Sequence, residues 1–370
     1  PNWEEQMPSN DLTFAGLRCR ILNVPLNRPI ISRVGAFEKW ALICLDIEPK
    51  GGITGRSYLA PYLIDYAPAI VHCIEMLAAP MRGQSTAPAK FYDDAMKRIS
   101  LIGKSGIALY ALAALDMALW DAHAQAAGAP LAVHLGGTIE PVKAYNSRGL
   151  WLSPVDELPS EAELLINEGG FDAVKMRFGR AEMKEDIAAA SAVREAVGED
   201  IAVMSDFNQG LTFSDALHWM HALDDTGLYW FEEPINYQEL ASCAELARQI
   251  KTPITIGENF HGPYDMQQAL QLQACDMVMP DAMRIGGVTG WMRSGALAEQ
   301  YGLDMSAHLF PEISAHLLRV TPTAHWLEWT DWANPILAEP FEVKDGHVII
   351  PNVPGSGIAW NEDALKEFAV

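Results

Sequence analysis

Six short apolar runs, each closed by an ionisable residue and each followed by a helix-length segment, constrain this chain more than any other feature. They occupy residues 173–177, 201–206, 228–232, 254–258, 277–281 and 303–308. Counted from Lys175, the residues Asp206, Glu232, Glu258, Asp281 and His308 follow at steps of 31, 26, 26, 23 and 27. One strand, one helix and two short loops take about that many residues. Strands that are apolar throughout are buried on both faces, so consecutive units of this kind predict parallel strands wrapped by helices, a (β/α) barrel. No glycine-rich phosphate loop follows the first run, which argues against a dinucleotide-binding fold.

The chain before these runs reads differently. Between residues 12 and 63, short alternating or apolar stretches are broken by clusters such as Pro49-Lys50-Gly51-Gly52, a pattern for antiparallel strands and hairpins. From about residue 67 the spacing turns helical, and the Ala-rich stretch 107–127 stops at Gly128-Ala129-Pro130. With 370 residues, the length suits one barrel plus an accessory α+β domain of roughly 130 residues. The tail beyond Asn334 has short strand-like pieces, 347–350 among them, and is expected to pack back on the first domain.

Acidic residues number 48 against 26 Lys and Arg, a net charge of −22. Phosphate backbones and anionic bilayers would be repelled, so nucleic-acid and membrane-surface partners are not expected. Any anionic substrate must then find cations gathered locally. The five cysteines are scattered without a CxxC spacing, which argues against thiolate metal sites and a disulfide framework. No run of about 18 apolar residues is free of charges, so no membrane-spanning helix is expected. Residues 1–11 carry Glu4, Glu5 and Asp11 and no apolar stretch, so they do not read as a secretory signal. A soluble cytoplasmic protein is the expectation.

Catalytic groups of such barrels sit at the carboxyl ends of the strands. A single acid there needs no functional explanation, since polar residues begin where strands leave the core. Asp206, Glu232 and Glu258 end three consecutive strands, and neighbouring strands lie about 4.8 Å apart. Three carboxylates so close repel one another unless a cation joins them, and an all-oxygen set suits Mg²⁺ or Mn²⁺ over Zn²⁺. Lys175 and Arg177 are two apart, so both point into the mouth. They are candidates for holding a substrate carboxylate, and Arg177 is a poor base. His308 and Asp281 end adjacent strands, where the carboxylate would fix the imidazole tautomer and raise its basicity. His316 and His325 read as packing residues. Glu328 could end a further strand and act as a hydrogen-bond donor when protonated. Together these groups describe α-proton abstraction from a carboxylate and stabilisation of the resulting enolate.

Longer stretches carry a resemblance: Val174-Lys-Met-Arg-Phe-Gly179, Ser205-Asp-Phe-Asn208, Trp230-Phe-Glu-Glu-Pro234, Gly257-Glu-Asn259, the run from Met279 to Trp291, that from Ser306 to His316, Thr321 to Glu328, and Asn23-Val-Pro-Leu26. On these the chain resembles the mandelate racemase branch of the enolase superfamily over nearly its whole length. The resemblance implies an α+β capping domain (1–135), a modified (β/α)₇β barrel (141–333), and a C-terminal segment (334–370) completing the cap. It implies Mg²⁺, with Mn²⁺ as a substitute, on Asp206, Glu232 and Glu258. Lys175 would contact the substrate carboxylate, the His308–Asp281 dyad would be the base for the R-configured carbon, and Glu328 the electrophilic acid. Ser147 and Asn208 match polar positions around metal and substrate, and homo-oligomers, often octamers, are implied. One departure stands out. The family's KxK is here Lys175-Met176-Arg177, and the second Lys is the family's base for the S-enantiomer. Two readings follow: a racemase or epimerase of 2-hydroxy carboxylates, or an acid-sugar dehydratase using His308 alone. A carboxylate-binding protein without chemistry is disfavoured, because triad, dyad and Glu328 are all retained. Arg28 and Arg33 on the loop 27–35 would suit a more polar substrate, whereas Tyr58, Trp151, Phe260 and Trp329 would suit an aryl one.

Overall fold

The computed structural model describes residues 12–50 and 52–370, so the acidic stretch 1–11 and Gly51 lie outside the described residues. Strands β1 (Phe14–Ser32), β2 (Gly35–Pro49) and β3 (Gly55–Leu59) pair antiparallel in that order. The β1–β2 ladder loses register between Pro25 and Ile30, where Pro25 and Pro29 have no N–H to donate. Beyond that point it resumes as a separate tip closing at Ser32 and Gly35. Of helices α1 (Ala67–Ala78), α2 (Pro88–Ile99), α3 (Gly106–Ala126) and α4 (Leu131–His134), α1 and α3 pack on the sheet, and α2 and α4 pack on α3. Helix α3 alone among the described helices has the length and hydropathy of a membrane span, and 78% of that window is buried inside the protein. It is the core of the cap, with Asp116 and Asp121 among its buried residues. At Gly55 an added Cβ would lie 2.1 Å from the Ala118 carbonyl, so glycine there lets β3 lie against α3.

The remainder is a closed barrel. Eight strands pair in parallel: β4 (Val142–Asn146), β5 (Ala173–Arg177), β6 (Ala202–Asp206), β7 (Leu228–Glu232), β8 (Ile254–Ile256), β9 (Met277–Val278), β10 (Met305–Ala307) and β11 (Ala324–Trp329), with β11 returning to β4. Between them run α5 (Leu158–Asn167), α6 (Met183–Val197), α7 (Phe213–Leu223), α8 (Leu240–Gln249), α9 (Pro263–Leu272), α10 (Gly287–Tyr301) and α11 (Pro311–Leu318). Seven helices for eight strands is the (β/α)₇β barrel that the resemblance implies. The six apolar runs are β5 to β10. Side chains two residues apart share a face, so Ala173, Met204 and Trp230 lie inside the barrel below Lys175, Asp206 and Glu232. With Tyr145, Met277 and Trp326 they form a buried cluster that closes the barrel beneath the charged end.

The tail divides between the two parts. Strands β12 (Glu342–Lys344) and β13 (His347–Ile349) form a hairpin that pairs with β4, not with the cap. The first residues of β4, Val142 and Lys143, pair with neither barrel neighbour, and β13 takes that free edge. Beyond it, helix α12 (Glu362–Glu367) and the last residues reach the cap. There Leu22 bridges Ala369, and Trp360 Nε1 donates to Asp46 at 2.7 Å.

Cap and barrel also meet through Asp116 of α3. It accepts from Thr289 N (2.9 Å) and Thr289 Oγ1 (2.6 Å) in the first turn of α10. A carboxylate on one domain thus caps a helix of the other. Gly287 makes the approach possible, since φ is +75° there and a Cβ would stand 2.6 Å from Asp116 Oδ2. Asp116→Ala is expected to lower stability by about 1–3 kcal/mol, measured by denaturant unfolding. An unchanged midpoint would show that α10 needs no cap from α3.

Candidate active site

Period two in β5 turns Lys175 and Arg177 into the barrel mouth, and both are buried. Lys175 Nζ lies 2.9 and 3.0 Å from the two oxygens of Glu232, 2.8 Å from Glu328 Oε1 and 3.8 Å from Asp206. Burial works against its charge, but Glu232 and Glu328 hold its pKa above the usual lysine range. It is an ammonium, not a base. Arg177 is clamped on three sides. Its Nε lies 3.2 Å from Asp206, its Nη2 donates to Ser147 Oγ at 3.1 Å, and its guanidinium stacks over Trp151 at 4.4 Å. Ser147 in turn donates to Glu328 Oε1 at 2.7 Å.

His308 Nδ1 meets Asp281 Oδ2 at 2.8 Å, while Asp281 Oδ1 accepts from the N–H groups of Met283 and Arg284. The carboxylate is thereby fixed and in turn fixes the ring, leaving Nε2 facing the mouth. That nitrogen lies 3.3 Å from Glu258 and 3.8 Å from Glu328. Burial lowers the imidazole's basicity, yet Glu258, Glu328 and Asp281 together raise its pKa to about 9. Glu328 behaves oppositely to its expected role as a protonated acid. Burial would raise its pKa, but Lys175, His308 and Arg177 hold it below the carboxylate range, so it is ionised here. Burial followed by the Asp206 charge lifts Glu232 to about 8, and burial likewise raises Asp206.

The sequence reading missed several residues that the fold brings here. Glu233 is buried beside Glu232 and accepts both its bonds from Asn259 Nδ2, at 2.9 and 2.8 Å, while the same amide reaches Glu258. Arg284 stands 3.6 Å from Glu258 and donates to the Asn259 side-chain oxygen. A cleft opens above these charges. Its walls are mostly apolar, with Ile30, Val34, Phe37 and Trp40 from the cap and Trp151 and Trp332 from the barrel, while Ser32, Asn208 and Gln209 add uncharged polar groups. Trp40 packs on Trp332 and Tyr62 with ring centroids 4.5 and 5.0 Å apart.

Other candidates lie elsewhere. Tyr58 is buried with its hydroxyl on Glu312 and does not line the cleft; Tyr62 takes that place. Phe260 lines a different cavity, and Trp329 pairs with Asn146 inside the barrel wall. Arg33 crosses outside the cleft and donates to the Gly210 carbonyl at 3.2 Å, and Arg28 pairs with Glu168. Both loop cations are thus committed to protein acceptors. His316 joins Ala132 and Ser356, and His325 joins Tyr229, both as packing residues.

Comparison with known proteins decides the family. Residues 17–136 match the mandelate racemase/muconate lactonizing enzyme N-terminal domain, and residues 157–364 match the enolase C-terminal domain-like family. The chain belongs to the mandelate racemase/muconate lactonizing enzyme family. An enolase from the alphaproteobacterium bal199, solved with bound magnesium, is 47% identical with TM-score 0.95, covering 97% of this chain and 100% of that one. An enolase from Bradyrhizobium, solved with magnesium and mandelic acid, is 35% identical with TM-score 0.94, covering 98% and 99%. L-talarate/galactarate dehydratase of Salmonella typhimurium is 33% identical over 88% of this chain and 82% of its own. Relatives are named dehydratases, cycloisomerases and synthases, and this mandelate racemase-family chain is an enzyme of the lyase or isomerase kind.

Whether its residues fit a divalent cation can be judged from the site itself. Asp206, Glu232 and Glu258 do not converge on one point, and among the described residues no three Asp, Glu, His or Cys side chains are close enough to hold a metal. Each is paired instead with the chain's own cations: Lys175 with Glu232, Arg177 with Asp206, and His308 and Arg284 with Glu258. The donor set nevertheless suits a hard cation. All three are buried oxygens, two have pKa values raised by burial and mutual repulsion, and the Asn208 side-chain oxygen beside Asp206 is buried without a partner. A cation at 100 times its Kd is expected to stabilise the protein by about 2.7 kcal/mol. Thermal unfolding with Mg²⁺ and with EDTA measures this, and Asp206→Asn is expected to abolish most of the shift.

Proposed function

We propose that the protein abstracts the α-proton of a 2-hydroxy carboxylate bearing an apolar substituent, with Mg²⁺ held by Asp206, Glu232 and Glu258, in a racemase- or epimerase-type reaction. The observation that carries this reading is the His308–Asp281 dyad beneath an aromatic cleft, with Nε2 at the mouth between Glu258 and Glu328. When bound, the cation supplies positive charge to the substrate carboxylate. Lys175 adds a second charge on the same group and leaves Glu232 as it does so. Once Glu258 turns to the cation, His308 loses the carboxylate that most raises its pKa, and as a neutral imidazole it takes the proton from the α-carbon at Nε2 while Asp281 stabilises the imidazolium. Glu328, once Lys175 turns to substrate and His308 is neutral, keeps only Arg177 of the cations that hold it ionised, and burial then favours the protonated form that can donate. Trp40, Trp151 and Trp332 exclude water and accept an aryl or alkyl group. The mandelic acid in the Bradyrhizobium relative supports such an occupant.

A second reading, dehydration, is favoured by one observation. Returning a proton to the opposite face requires a group that exchanges protons, and Arg177 is a guanidinium held by Asp206, Ser147 and Trp151. With His308 as sole base, the enolate expels a β-hydroxyl, as the dehydratase name of the Salmonella relative suggests. The aromatic part of the wall favours an aryl or alkyl acid over a polyhydroxylated one, whose hydroxyls would find Ser32, Asn208 and Gln209 as their uncharged partners and indole rings elsewhere.

Incubation in D₂O with Mg²⁺ and both enantiomers of aryl, alkyl and sugar 2-hydroxy acids separates the readings. Deuterium at C2 in both recovered enantiomers of an aryl acid is the expected result, and it would make Arg177, or a surrogate beside it, the group that carries the proton on the S face. A 2-keto-3-deoxy product from one configuration would instead establish the dehydratase. His308→Asn is expected to lose exchange by about 10²-fold or more while keeping the Mg²⁺-induced thermal shift. Exchange at the native rate would remove His308 from the mechanism. Arg177→Lys is expected to strengthen exchange of the S-enantiomer, read by NMR, and an unchanged enantiomer preference would place Arg177 away from the α-carbon.

A further inference from the structure

Immediately after His308 the backbone does something costly. Leu309 and Phe310 both have φ of 51°, a conformation that side-chain-bearing residues rarely adopt and that persists only when surroundings enforce it. The turn places Leu309 in the wall of the cleft and aims its N–H at Glu328 Oε2, 3.0 Å away. Ser314 Oγ closes it from within α11 by donating to the Leu309 carbonyl at 2.8 Å.

One more contact holds the turn, and it comes from the other domain. Glu312, in the first turn of α11, has no solvent exposure, and its Oε2 accepts from the Tyr58 hydroxyl of β3 at 2.5 Å. Its other oxygen is buried without a partner. The Tyr58 ring also packs on Phe310, with centroids 5.1 Å apart. Burial raises the Glu312 carboxyl to about 7, so leaving this group in the interface has a cost that a hydrocarbon would avoid. Tyr58 is thus the cap's only hydroxyl among the described contacts to Glu312, and it grips the left-handed turn at two places.

We infer that Tyr58 and Glu312 are positioning residues: they tie the cap to the left-handed Leu309–Phe310 turn and so fix the aim of His308 and of the Leu309 N–H. The tie acts through a hydrogen bond and a ring contact, not through charge at the site. It rests on the reading of His308 as the base. It also links cap docking to catalysis, since the domain that walls the cleft is the one that sets the turn.

The test compares Tyr58→Phe with Glu312→Gln in the full-length protein. Phenylalanine keeps the ring on Phe310 and removes only the hydroxyl; glutamine keeps an oxygen that can accept from Tyr58. Two quantities are read: amide hydrogen exchange in peptides spanning 308–311 by mass spectrometry, and kcat and KM for α-deuterium incorporation. Tyr58→Phe is expected to speed amide exchange in that turn, leave a β1–β2 peptide unchanged, and lower kcat on the order of tenfold with KM within about twofold. Glu312→Gln is expected to stay near native in both. Faster amide exchange with native kcat, unchanged amide exchange, or a loss in Glu312→Gln equal to that in Tyr58→Phe each overturns the inference. A wild-type protein that exchanges no α-proton overturns the proposed function instead, and the amide readout still decides whether the turn depends on Tyr58.

Discussion

Buried carboxylates crowd one end of the barrel: Asp206, Glu232, Glu233, Glu258 and Glu328 all end or follow its strands. Two unit charges 4 Å apart interact by about 4 kcal/mol at an effective dielectric near 20, so such a group is unstable unless cations are interleaved with it. The chain interleaves Lys175, Arg177, His308 and Arg284. Much of the local architecture follows from that requirement. Period-two placement in β5 supplies two cations from one strand, Asn259 bridges Glu233 and Glu258, and Asp281 holds His308 in register. Strained backbone gathers at the same end, with positive φ at Asn208, Gln209, Glu233, Leu309 and Phe310. These residues hold side chains at angles that relaxed loops would not provide.

Such an end is poised rather than satisfied. Lys175 is bound to acids that a divalent cation would otherwise occupy, and His308 leans on Glu258. Cation and substrate together would redistribute these contacts: the metal on Asp206, Glu232 and Glu258, the ammonium on the substrate carboxylate. The cap contributes no charge to this exchange. It supplies Ile30, Val34, Phe37, Trp40 and Tyr62 as walls, and through Tyr58 it steadies the turn after His308.

The barrel was legible in the sequence because parallel strands buried on both faces leave continuous apolar runs, and because their closing residues repeat at the length of one β/α unit. Asp206, Glu232, Glu258, Asp281 and His308 could be found for the same reason, since each sits where such a run ends, while Lys175 followed from its period-two spacing with Arg177 and Glu328 from a further strand end. Strand β4 was not read, since Val142–Asn146 contains Lys143 and a polar end and lacks the apolar length of the others. Of the aromatic walls only Trp151 was read; Trp40 and Trp332 were not, because their contact spans some 290 residues of chain and nothing local distinguishes them from core aromatics. Tyr58 and Tyr62 illustrate the limit. They lie four residues apart across the end of β3, one inside the interface and one in the cleft, and which is which depends on where β3 ends against α3. Arg28 and Arg33 misled for another reason, since a loop cation's partner, here Glu168 or the Gly210 carbonyl, is set by tertiary structure. Glu233 could have been suspected from the Glu232-Glu233-Pro234 run, as a second acid adjoining a strand end.

The central claim is that this charge cluster rearranges around a divalent cation and a carboxylate. A crystal structure of the protein with Mg²⁺ and a 2-hydroxy acid tests it most directly. The account expects one ion ligated by Asp206, Glu232 and Glu258, Lys175 Nζ moved from Glu232 onto the ligand carboxylate, and His308 Nε2 facing the α-carbon below the Trp40–Trp332 wall. An ion bound elsewhere, or Lys175 still paired with Glu232 in the presence of both, would contradict it.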